Sequence, residues 1–237
     1  MHPILLKSGP LTIYSYGAFV ALGFAVAAVL IYRRAASFGI DKDNISDLLV
    51  LMLVTGIVGA RLLYVLLNFG YYQSNPSELI NLSKGGLVWY GGFFAAIVSS
   101  IVYIKRKSMG FWNTMDLITP YVALAQAFGR VGCFFNGCCY GIKNIPIQLY
   151  SSLLLVIIFV LLVTWQDRRR FSGEIALGYC TLYSLKRFGV EFLRGDNPRI
   201  FLGLTMSQII SLVVIIVAVL IFIKKASKWK ESGTVSK

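Results

Sequence analysis

Long uninterrupted runs of apolar residues are the feature that most limits how this chain can fold. A transmembrane helix needs roughly 20 mostly apolar residues, and a chain with several such runs folds as a bundle of membrane-spanning helices. The composition agrees, since 57% of the residues are hydrophobic, 14% are charged and the mean hydropathy is +0.72. Seven apolar runs are candidate spans: Leu11–Tyr32, Leu48–Leu67, Leu87–Ile104, Leu117–Phe135, Ile147–Trp165, Ile175–Leu185 and Leu202–Ile223.

These runs predict an all-α, polytopic integral membrane protein with seven transmembrane helices. Residues 1–237 are expected to form a single transmembrane domain, because the loops are too short for a separate soluble domain. The sixth run is the weakest, since few apolar residues precede Lys186 and Arg187; runs of about 10–14 residues more often form re-entrant or buried segments. The first run is not expected to be a cleavable signal peptide, because its charged flank, Arg33 and Arg34, follows it.

The positions of the basic residues predict the orientation of the spans. Most Lys and Arg residues lie in the loops after spans one, three and five and in the C-terminal tail. Because cytoplasmic loops carry the excess of Lys and Arg, the N-terminus is expected outside and the C-terminus in the cytoplasm. The net charge of +13 then reflects loops that face anionic lipid headgroups. No soluble module carries these charges, so binding to nucleic acid is not expected.

The last outer loop departs from this rule, because it gathers four basic residues on the side where they are disfavoured. They are Lys186, Arg187, Arg194 and Arg199. Arg187, Glu191 and Arg194 have i, i+4 and i+7 spacing, which places them on one helix face if the sixth helix continues. An ion pair between Arg187 and Glu191 is the structural alternative, but one carboxylate leaves an excess of positive charge. This excess indicates an anionic ligand.

A further arginine lies inside the fourth apolar run. The stretch Ala127–Gly141 reads AFGRVGCFFNGCCYG and places Arg130 near the outer end of the span. A charged side chain at membrane depth is costly and usually functional, and a guanidinium suits bidentate contact with phosphate. Asn136 adds a neutral donor and acceptor, and Gly137 permits a sharp exit from the helix. These residues predict a phospholipid headgroup site; the alternative is that Arg130 snorkels to the interface and the glycines only pack helices.

Four cysteines, Cys133, Cys138, Cys139 and Cys180, leave three interpretations open. They serve as small packing residues, form a disulfide on the outer face, or act as reactive thiols. A metal centre is not expected, because the C-x4-C-C spacing matches no zinc pattern and the single histidine, His2, lies at the N-terminus. No organic cofactor is expected either.

The motifs of the chain, taken in order, resemble those of the prolipoprotein diacylglyceryl transferase family. The strongest match is Gly129–Gly137, GRVGCFFNG, which is similar to the family signature G-R-x-G-N-F-x-N-G. The supporting matches are Tyr16-Gly17, Gly59-Ala60-Arg61 with Tyr64, Trp89-Tyr90-Gly91-Gly92, Asp116 with Pro120, Gln148-Leu149-Tyr150, Tyr183, Arg187-Phe188, Glu191-Phe192, Arg194 and Ser207-Gln208.

The resemblance implies a bacterial inner-membrane enzyme that transfers the diacylglyceryl group of phosphatidylglycerol to the lipobox cysteine thiol of a prolipoprotein. The reaction forms a thioether and releases glycerol phosphate. Phosphatidylglycerol, the prolipoprotein signal peptide and membrane lipids are therefore the expected partners. By analogy, Arg130 and Arg187 hold the phosphate and stabilise charge on the leaving group. The other residues implied to bind substrate are Tyr16, Arg61, Gly91, Gly92, Asn136, Gly137, Glu191 and Arg194.

The chain departs from the family at the expected reaction centre. Tyr90 stands where the family usually has the histidine of an H-G-G motif, which is proposed as a base, so the resemblance implies Tyr90 as a third catalytic residue. A phenol is a weak base near neutral pH unless neighbouring cations assist it. Cys133 and Cys138 also replace an asparagine and an often acidic residue. Two other functions therefore stay open: a phospholipid-dependent transferase with a different acceptor, and a non-catalytic phospholipid-binding or transport protein.

Overall fold

The computed structural model describes residues 2–8, 11–79, 85–142, 145–195, 197–201 and 203–234 of the 237-residue chain. The α-helices in this part are α1 Ser15–Arg34, α2 Lys42–Leu67, α3 Phe69–Ser74, α4 Trp89–Arg106, α5 Phe111–Asn136, α6 Ile147–Gln166, α7 Glu174–Glu191 and α8 Met206–Thr234. The short elements are the 3-10 helices Ala35–Phe38 and Pro76–Leu79 and the strands β1 Ile4–Ser8, β2 Leu11–Tyr14, β3 Arg199–Phe201 and β4 Leu204–Thr205. The strands form two two-stranded sheets, β1 with β2 and β3 with β4.

Several helices are long and apolar enough to cross a membrane, so the chain is a helical, multi-pass membrane protein. Among the described residues they cover Ser15–Phe38, Lys42–Leu67, Phe111–Asn136, Ile147–Gln166 and Met206–Glu231. The third and sixth predicted spans also form helices, α4 and α7, and α7 continues past the basic pair at 186 and 187. Neither helix belongs to that set of five, so the seven-span arrangement and its orientation stay predictions.

The chain divides into two compact units. The larger unit contains residues 1–8, 12–33 and 112–237, and the smaller unit contains residues 9–11 and 34–111. In the smaller unit α2 and α4 pack against each other, with 2.9 Å between Thr55 Oγ1 and Ser99 Oγ. A single transmembrane domain stays a prediction.

The core of the larger unit lies where α5, α6 and α7 meet. Ser152 Oγ on α6 donates a hydrogen bond to the Ala127 carbonyl on α5 at 2.9 Å. Small residues and such hydrogen bonds are typical of close packing between membrane helices. The core therefore holds the helix that carries Arg130 near the helix that carries Arg187. The buried apolar residues of this core are Ala123, Ala127, Leu155, Ile158, Leu162 and Ile175.

Pro120 lies in the interior of α5, where it lacks the N–H that would bond to the Asp116 carbonyl. Gln166, at the end of α6, replaces that donor. Its Nε2 donates to the carbonyls of Asp116 at 2.7 Å and Leu117 at 3.3 Å. Because an unpaired carbonyl away from water costs free energy, this contact allows α5 to continue through the proline.

The side chain of Asp116 positions the start of α7. It is fully buried, and its carboxylate accepts the backbone N–H of Gly173 at 2.6 Å and of Ala176 at 2.9 Å. Arg169 Nη1 lies 3.4 Å from the same carboxylate. The first N–H groups of a helix have no partner within it, and a carboxylate there also interacts favourably with the helix dipole. Asp116 therefore caps α7 from a different helix. It determines where α7, the helix that carries Lys186 and Arg187, begins.

Asp116→Ala is expected to lower the thermal unfolding midpoint in detergent, because two buried N–H groups and the Arg169 guanidinium lose their acceptor. Each unsatisfied buried group costs about 1–3 kcal/mol, so the total loss of stability is expected to be about 3 kcal/mol or more. Asp43→Ala, which removes an exposed carboxylate, is the control and is expected to cost less than about 1 kcal/mol. Circular dichroism measures both, and equal midpoints would contradict the capping role.

Candidate functional site

Four basic side chains of the larger unit converge near the C-terminal ends of α5 and α7. The charge of Arg130 interacts with those of Lys186 and Arg187, and the charge of Arg194 interacts with the same two. Lys186 is buried, with Nζ 5.1 Å from the ring centroid of Tyr183. Among the described residues, the half-buried guanidinium of Arg130 has no hydrogen-bond or ion-pair partner. Like charges repel strongly where water is scarce, so this basic cluster favours an anionic ligand.

One acid lies beside the basic cluster. Glu191 Oε2 is 3.1 Å from Arg187 Nη2, and both residues lie on α7, which confirms the predicted spacing for this pair. Arg187 Nη2 also donates to Ser207 Oγ at 2.7 Å. Arg194 lies beyond the end of α7, because the helix stops at Glu191. The condition for its place on the same helix face, a helix that continues to 194, is therefore not met, but its charge still interacts with those of Lys186 and Arg187. A single carboxylate cannot neutralise four cations.

The carboxylate of Glu191 also receives hydrogen bonds from beyond α7. Thr205 Oγ1 donates to Oε1 at 2.9 Å, and Asn197 Nδ2 donates to the same atom. The backbone N–H of Thr205 donates to Gln208 Oε1 at 2.9 Å, and the backbone N–H of Gln208 donates to Thr205 Oγ1 at 3.4 Å. This reciprocal pair is a capping box at the start of α8. Glu191 therefore ties α8 to Arg187. Neither Thr205 nor Asn197 is among the predicted site residues, although T-x-x-Q before an apolar run is a capping-box signal.

Gly137 ends α5, as its sequence context predicts. Its φ of 76° lies in the left-handed region, which glycine adopts without strain. Gly137 N donates to the Phe134 carbonyl and Cys138 N donates to the Cys133 carbonyl, both at 3.2 Å, which together form a Schellman motif. Asn136, the last residue of α5, is exposed. The predicted sharp exit is confirmed, and the turn brings Cys138 back beside the last turn of the helix.

Main-chain contacts attach the loop after α5 to the end of α7. Gly141 and Arg194 form an antiparallel β-bridge. Ile142 N donates to the Leu193 carbonyl at 2.9 Å. Because these contacts use backbone atoms, they fix the position of Arg194 relative to the end of α5, and they require a glycine at 141, where an added Cβ would lie 2.8 Å from the Ile145 carbonyl oxygen.

Three cysteines meet at the end of α5. The Sγ atoms of Cys133, Cys138 and Cys139 all lie within 4.8 Å of one another, and these three and Cys180 are free thiols. The carbonyl of Cys138 accepts a hydrogen bond from Gln148 Nε2 at 2.7 Å. Cys139 has a φ of 59°, which is uncommon for a residue other than glycine. The structure thus brings three of the four thiols together, and the packing, disulfide and reactive-thiol interpretations stay predictions.

Tyr16 lies in the first turn of α1 and is 41% exposed. Helix α1 passes close to α5 at Gly132, where an added Cβ would lie 3.2 Å from the Tyr16 Cα. Tyr16 is also near enough to Arg130 for their charges to interact when the phenol ionises. The larger unit thus contains the predicted site residues Tyr16, Arg130, Asn136, Gly137, Arg187, Glu191 and Arg194.

Arg61, predicted to support the headgroup site, lies in the smaller unit and binds the loop of its own unit. Its guanidinium carbon is 5.3 Å from the ring centroid of Tyr72 and 5.7 Å from that of Tyr64. The guanidinium of Arg61 also donates hydrogen bonds of 2.7 to 3.2 Å to the carbonyls of Glu78, Leu79, Gly85 and Gly86. Together these contacts explain how an apolar helix accommodates the charge of Arg61, and its role in substrate binding stays a prediction.

Tyr90, Gly91 and Gly92 also lie in the smaller unit, in the first turn of α4. Tyr90 is 63% exposed. The two glycines face α2: a Cβ on Gly92 would lie 2.6 Å from the carbonyl oxygen of Gly56, and one on Gly91 would clash with Gly59. Close packing of α2 and α4 therefore requires both glycines, and their predicted contact with substrate stays a prediction.

Comparison with known proteins covers almost the whole chain. The sequence model of the family described as prolipoprotein diacylglyceryl transferase matches residues 3–224. A phosphatidylglycerol–prolipoprotein diacylglyceryl transferase of Finegoldia magna is 38% identical over 224 residues, which cover 88% of this chain and 90% of the relative. The proteins of that name from Clostridium tetani and Clostridium novyi are 34% and 32% identical, and each match covers at least 94% of both chains.

Cys139 is expected to stay reactive below neutral pH. A hydrogen bond with the Cys133 thiol and the positive charge of Arg194 lower the pKa of Cys139 to about 5. In reduced, chelator-treated protein, alkylation of Cys139 by iodoacetamide should therefore change little between pH 8 and pH 6 and fall only as the pH nears that pKa. An ordinary thiol, with a pKa of about 8.5, loses about tenfold in rate for each pH unit below that value.

Peptide mass spectrometry measures the alkylation rate at Cys139, and a free cysteine peptide in the same mixture is the control. A tenfold fall in the Cys139 rate between pH 7 and pH 6 would contradict the lowered pKa.

Proposed function

Because the chain belongs to the prolipoprotein diacylglyceryl transferase family, we propose that it transfers the diacylglyceryl group of phosphatidylglycerol to the lipobox cysteine thiol of a prolipoprotein. The transfer forms a thioether and releases glycerol phosphate. The observation that carries the proposal is the basic cluster, Arg130, Lys186, Arg187 and Arg194, with Glu191 beside it, in a helical membrane protein. Within a membrane, an anionic lipid headgroup is a natural counterpart for such a cluster.

Arg130 supplies the main phosphate contact. Its guanidinium has no partner within the described ranges, and its planar fork suits two phosphate oxygens at once. Arg187 is held by Glu191 and Ser207, so its charge is already in place before substrate arrives. Negative charge that develops on the leaving phosphate oxygen is stabilised by such preorganised donors.

The other residues of the larger unit bind the rest of the headgroup. Tyr16 and Asn136 have polar groups that are at least partly exposed, which suits contact with the hydroxyl groups of glycerol. Gly137 allows close approach of the ligand to the backbone. Arg194 adds positive charge, and Glu191 keeps Arg187 in position. Roles for Arg61, Gly91 and Gly92 in binding rest on the family resemblance.

The proposal places the chain in the bacterial plasma membrane as seven spans. Helices α4 and α7 complete the set with the five longer apolar helices. The N-terminus lies outside and the C-terminus in the cytoplasm, because the C-terminal end of α8 and the loops after spans one, three and five carry most of the basic residues. The partners are then phosphatidylglycerol, the prolipoprotein signal peptide and the surrounding lipids.

Arg130→Ala is expected to lower turnover at least ~100-fold, because the leaving phosphate loses a preorganised donor. Purified protein in detergent is assayed with phosphatidylglycerol and a lipobox peptide, following glycerol phosphate release and peptide mass together. Arg130→Lys keeps the charge without the planar fork and is expected to recover only part of the rate. Arg168→Ala, which removes an exposed arginine of the larger unit, is the matched control.

Turnover of Arg130→Ala at the parent rate would contradict the phosphate site. Release of glycerol phosphate by the parent without a modified peptide would instead show that the acceptor is a different molecule.

Tyr90→Phe is expected to slow peptide modification at least ~10-fold, since the phenol oxygen is proposed to accept a hydrogen bond from the acceptor thiol and so to assist the loss of the thiol proton. This role rests on the family resemblance. Tyr90→His is expected to be active, because an imidazole accepts a proton more readily near neutral pH. Tyr14→Phe, which alters another exposed tyrosine, is the control in the same peptide assay. Equal rates for Tyr90→Phe and the parent would show that the hydroxyl has no part in the reaction.

A further inference from the structure

We propose that Cys133, Cys138 and Cys139 form a zinc site with three thiolate ligands, whose fourth position binds the acceptor thiol. The inference rests on the proposed function, because it says how that thiol is ionised. The three Sγ atoms already lie within 4.8 Å of one another. Zinc–sulfur bonds are about 2.3 Å long, so the sulfurs of a tetrahedral site lie about 3.8 Å apart and a closing movement of about 1 Å suffices.

The fold holds the three thiols in this arrangement. Cys133 lies in the last turn of α5, and the Schellman turn at Gly137 returns Cys138 to it. Gln148, itself 2% exposed, fixes the Cys138 carbonyl. The positive φ of Cys139 is a strained conformation for a residue with a Cβ, and strain that a fold maintains is a marker of function. The ligands meet because a helix ends between them, which explains why their spacing matches no zinc motif.

The charge of the surroundings suits the complete site. Three thiolates and one Zn²⁺ together carry a net charge of −1, because zinc binds cysteine in its deprotonated form. The charges of Arg130 and Arg194 interact with Cys139, and that of Arg130 also interacts with Cys133. These guanidinium groups therefore stabilise the zinc–thiolate complex. Because the same two arginines belong to the basic cluster, the three cysteines lie close to the proposed phosphate site.

The chemistry follows from the open position. Three protein ligands and one exchangeable ligand are typical of catalytic zinc, whereas structural zinc has four protein ligands. The acceptor thiol loses its proton to water when its sulfur binds the metal. The thiolate sulfur then attacks the glycerol carbon that carries the phosphate ester. A carbon–sulfur bond forms, the carbon–oxygen bond breaks, and its electron pair leaves on the phosphate oxygen; water then replaces the neutral thioether at zinc.

Metal binding is tested with the full chain in detergent, reduced, stripped with a chelator and titrated with Zn²⁺ against a chromophoric chelator. One zinc per chain is expected. Loss of a single ligand is expected to weaken binding at least ~100-fold, since removing even a supporting partner of a ligand costs about 10–100-fold. Cys138→Ala and Cys139→Ala carry this test if the variant at the buried Cys133 does not fold, and Cys180→Ala is the matched control that keeps the parent affinity.

The fourth ligand is tested with Co²⁺, whose visible spectrum reports its ligands. Addition of a lipobox peptide is expected to change the spectrum of the cobalt-loaded protein, whereas a peptide with serine in place of the cysteine is expected to leave it unchanged. No bound metal in the reloaded parent, unchanged binding in Cys138→Ala and Cys139→Ala, a disulfide among the three cysteines in place of metal, or a spectrum that ignores the peptide thiol would each overturn the inference.

Activity separates this inference from the proposed function. Stripped protein is expected to modify the peptide at least ~10-fold more slowly, with recovery on addition of Zn²⁺. If stripped protein works at the parent rate, the zinc site is wrong and the proposed function stands. If no preparation modifies the peptide but the cobalt spectrum responds to its thiol, the zinc site stands and the proposed transfer from phosphatidylglycerol is wrong.

Discussion

A buried carboxylate on α5 determines where the basic helix of the larger unit begins. Asp116 accepts the first N–H groups of α7 through its side chain, while its carbonyl, left without a donor by Pro120, is bonded by Gln166 of α6. One turn of α5 therefore contacts both neighbouring helices. Because an α-helix rises about 1.5 Å per residue, Arg187 lies roughly 20 Å along the axis from the start of α7. The position of its charge thus depends on a contact far from the charge itself.

The basic cluster is unfavourable for the protein alone and favourable for a bound anion. Four cations interact across a partly buried region, and the carboxylate of Glu191 balances only one of them. Repulsion of this kind lowers the stability of the empty site and is relieved when negative charge arrives. The fold holds the arrangement through Glu191, which the capping box at Thr205 connects to α8. The repulsion lowers the stability of the fold, but the hydrogen-bond donors of the cluster are already in place when an anion binds.

Hydropathy and spacing predict much of this structure, because both act over short distances along the chain. Helices form at all seven apolar runs, the pair Arg187–Glu191 forms at i, i+4, and Gly137 ends α5. The features that the sequence does not reveal arise where the chain turns back on itself or where distant helices pack together. The C-x4-C-C pattern contains no information about a left-handed turn that brings Cys139 close to Cys133, and the buried state of Lys186 follows from helix packing that charge counting cannot see. Long-range contacts therefore account for the part of the site that local patterns leave out.

The backbone attachment between the loop after α5 and the end of α7 has a consequence for how such a protein diversifies. Gly141, Ile142 and Leu193 contribute main-chain atoms to it, so the alignment of the two segments does not depend on most of their side chains. Tyr140 and Ile142 are 55% and 43% exposed and are free to change without loosening the attachment. Mutational drift at these two positions therefore alters exposed surface near the basic cluster while the backbone attachment keeps that cluster aligned, so the surface and the charged site can evolve independently.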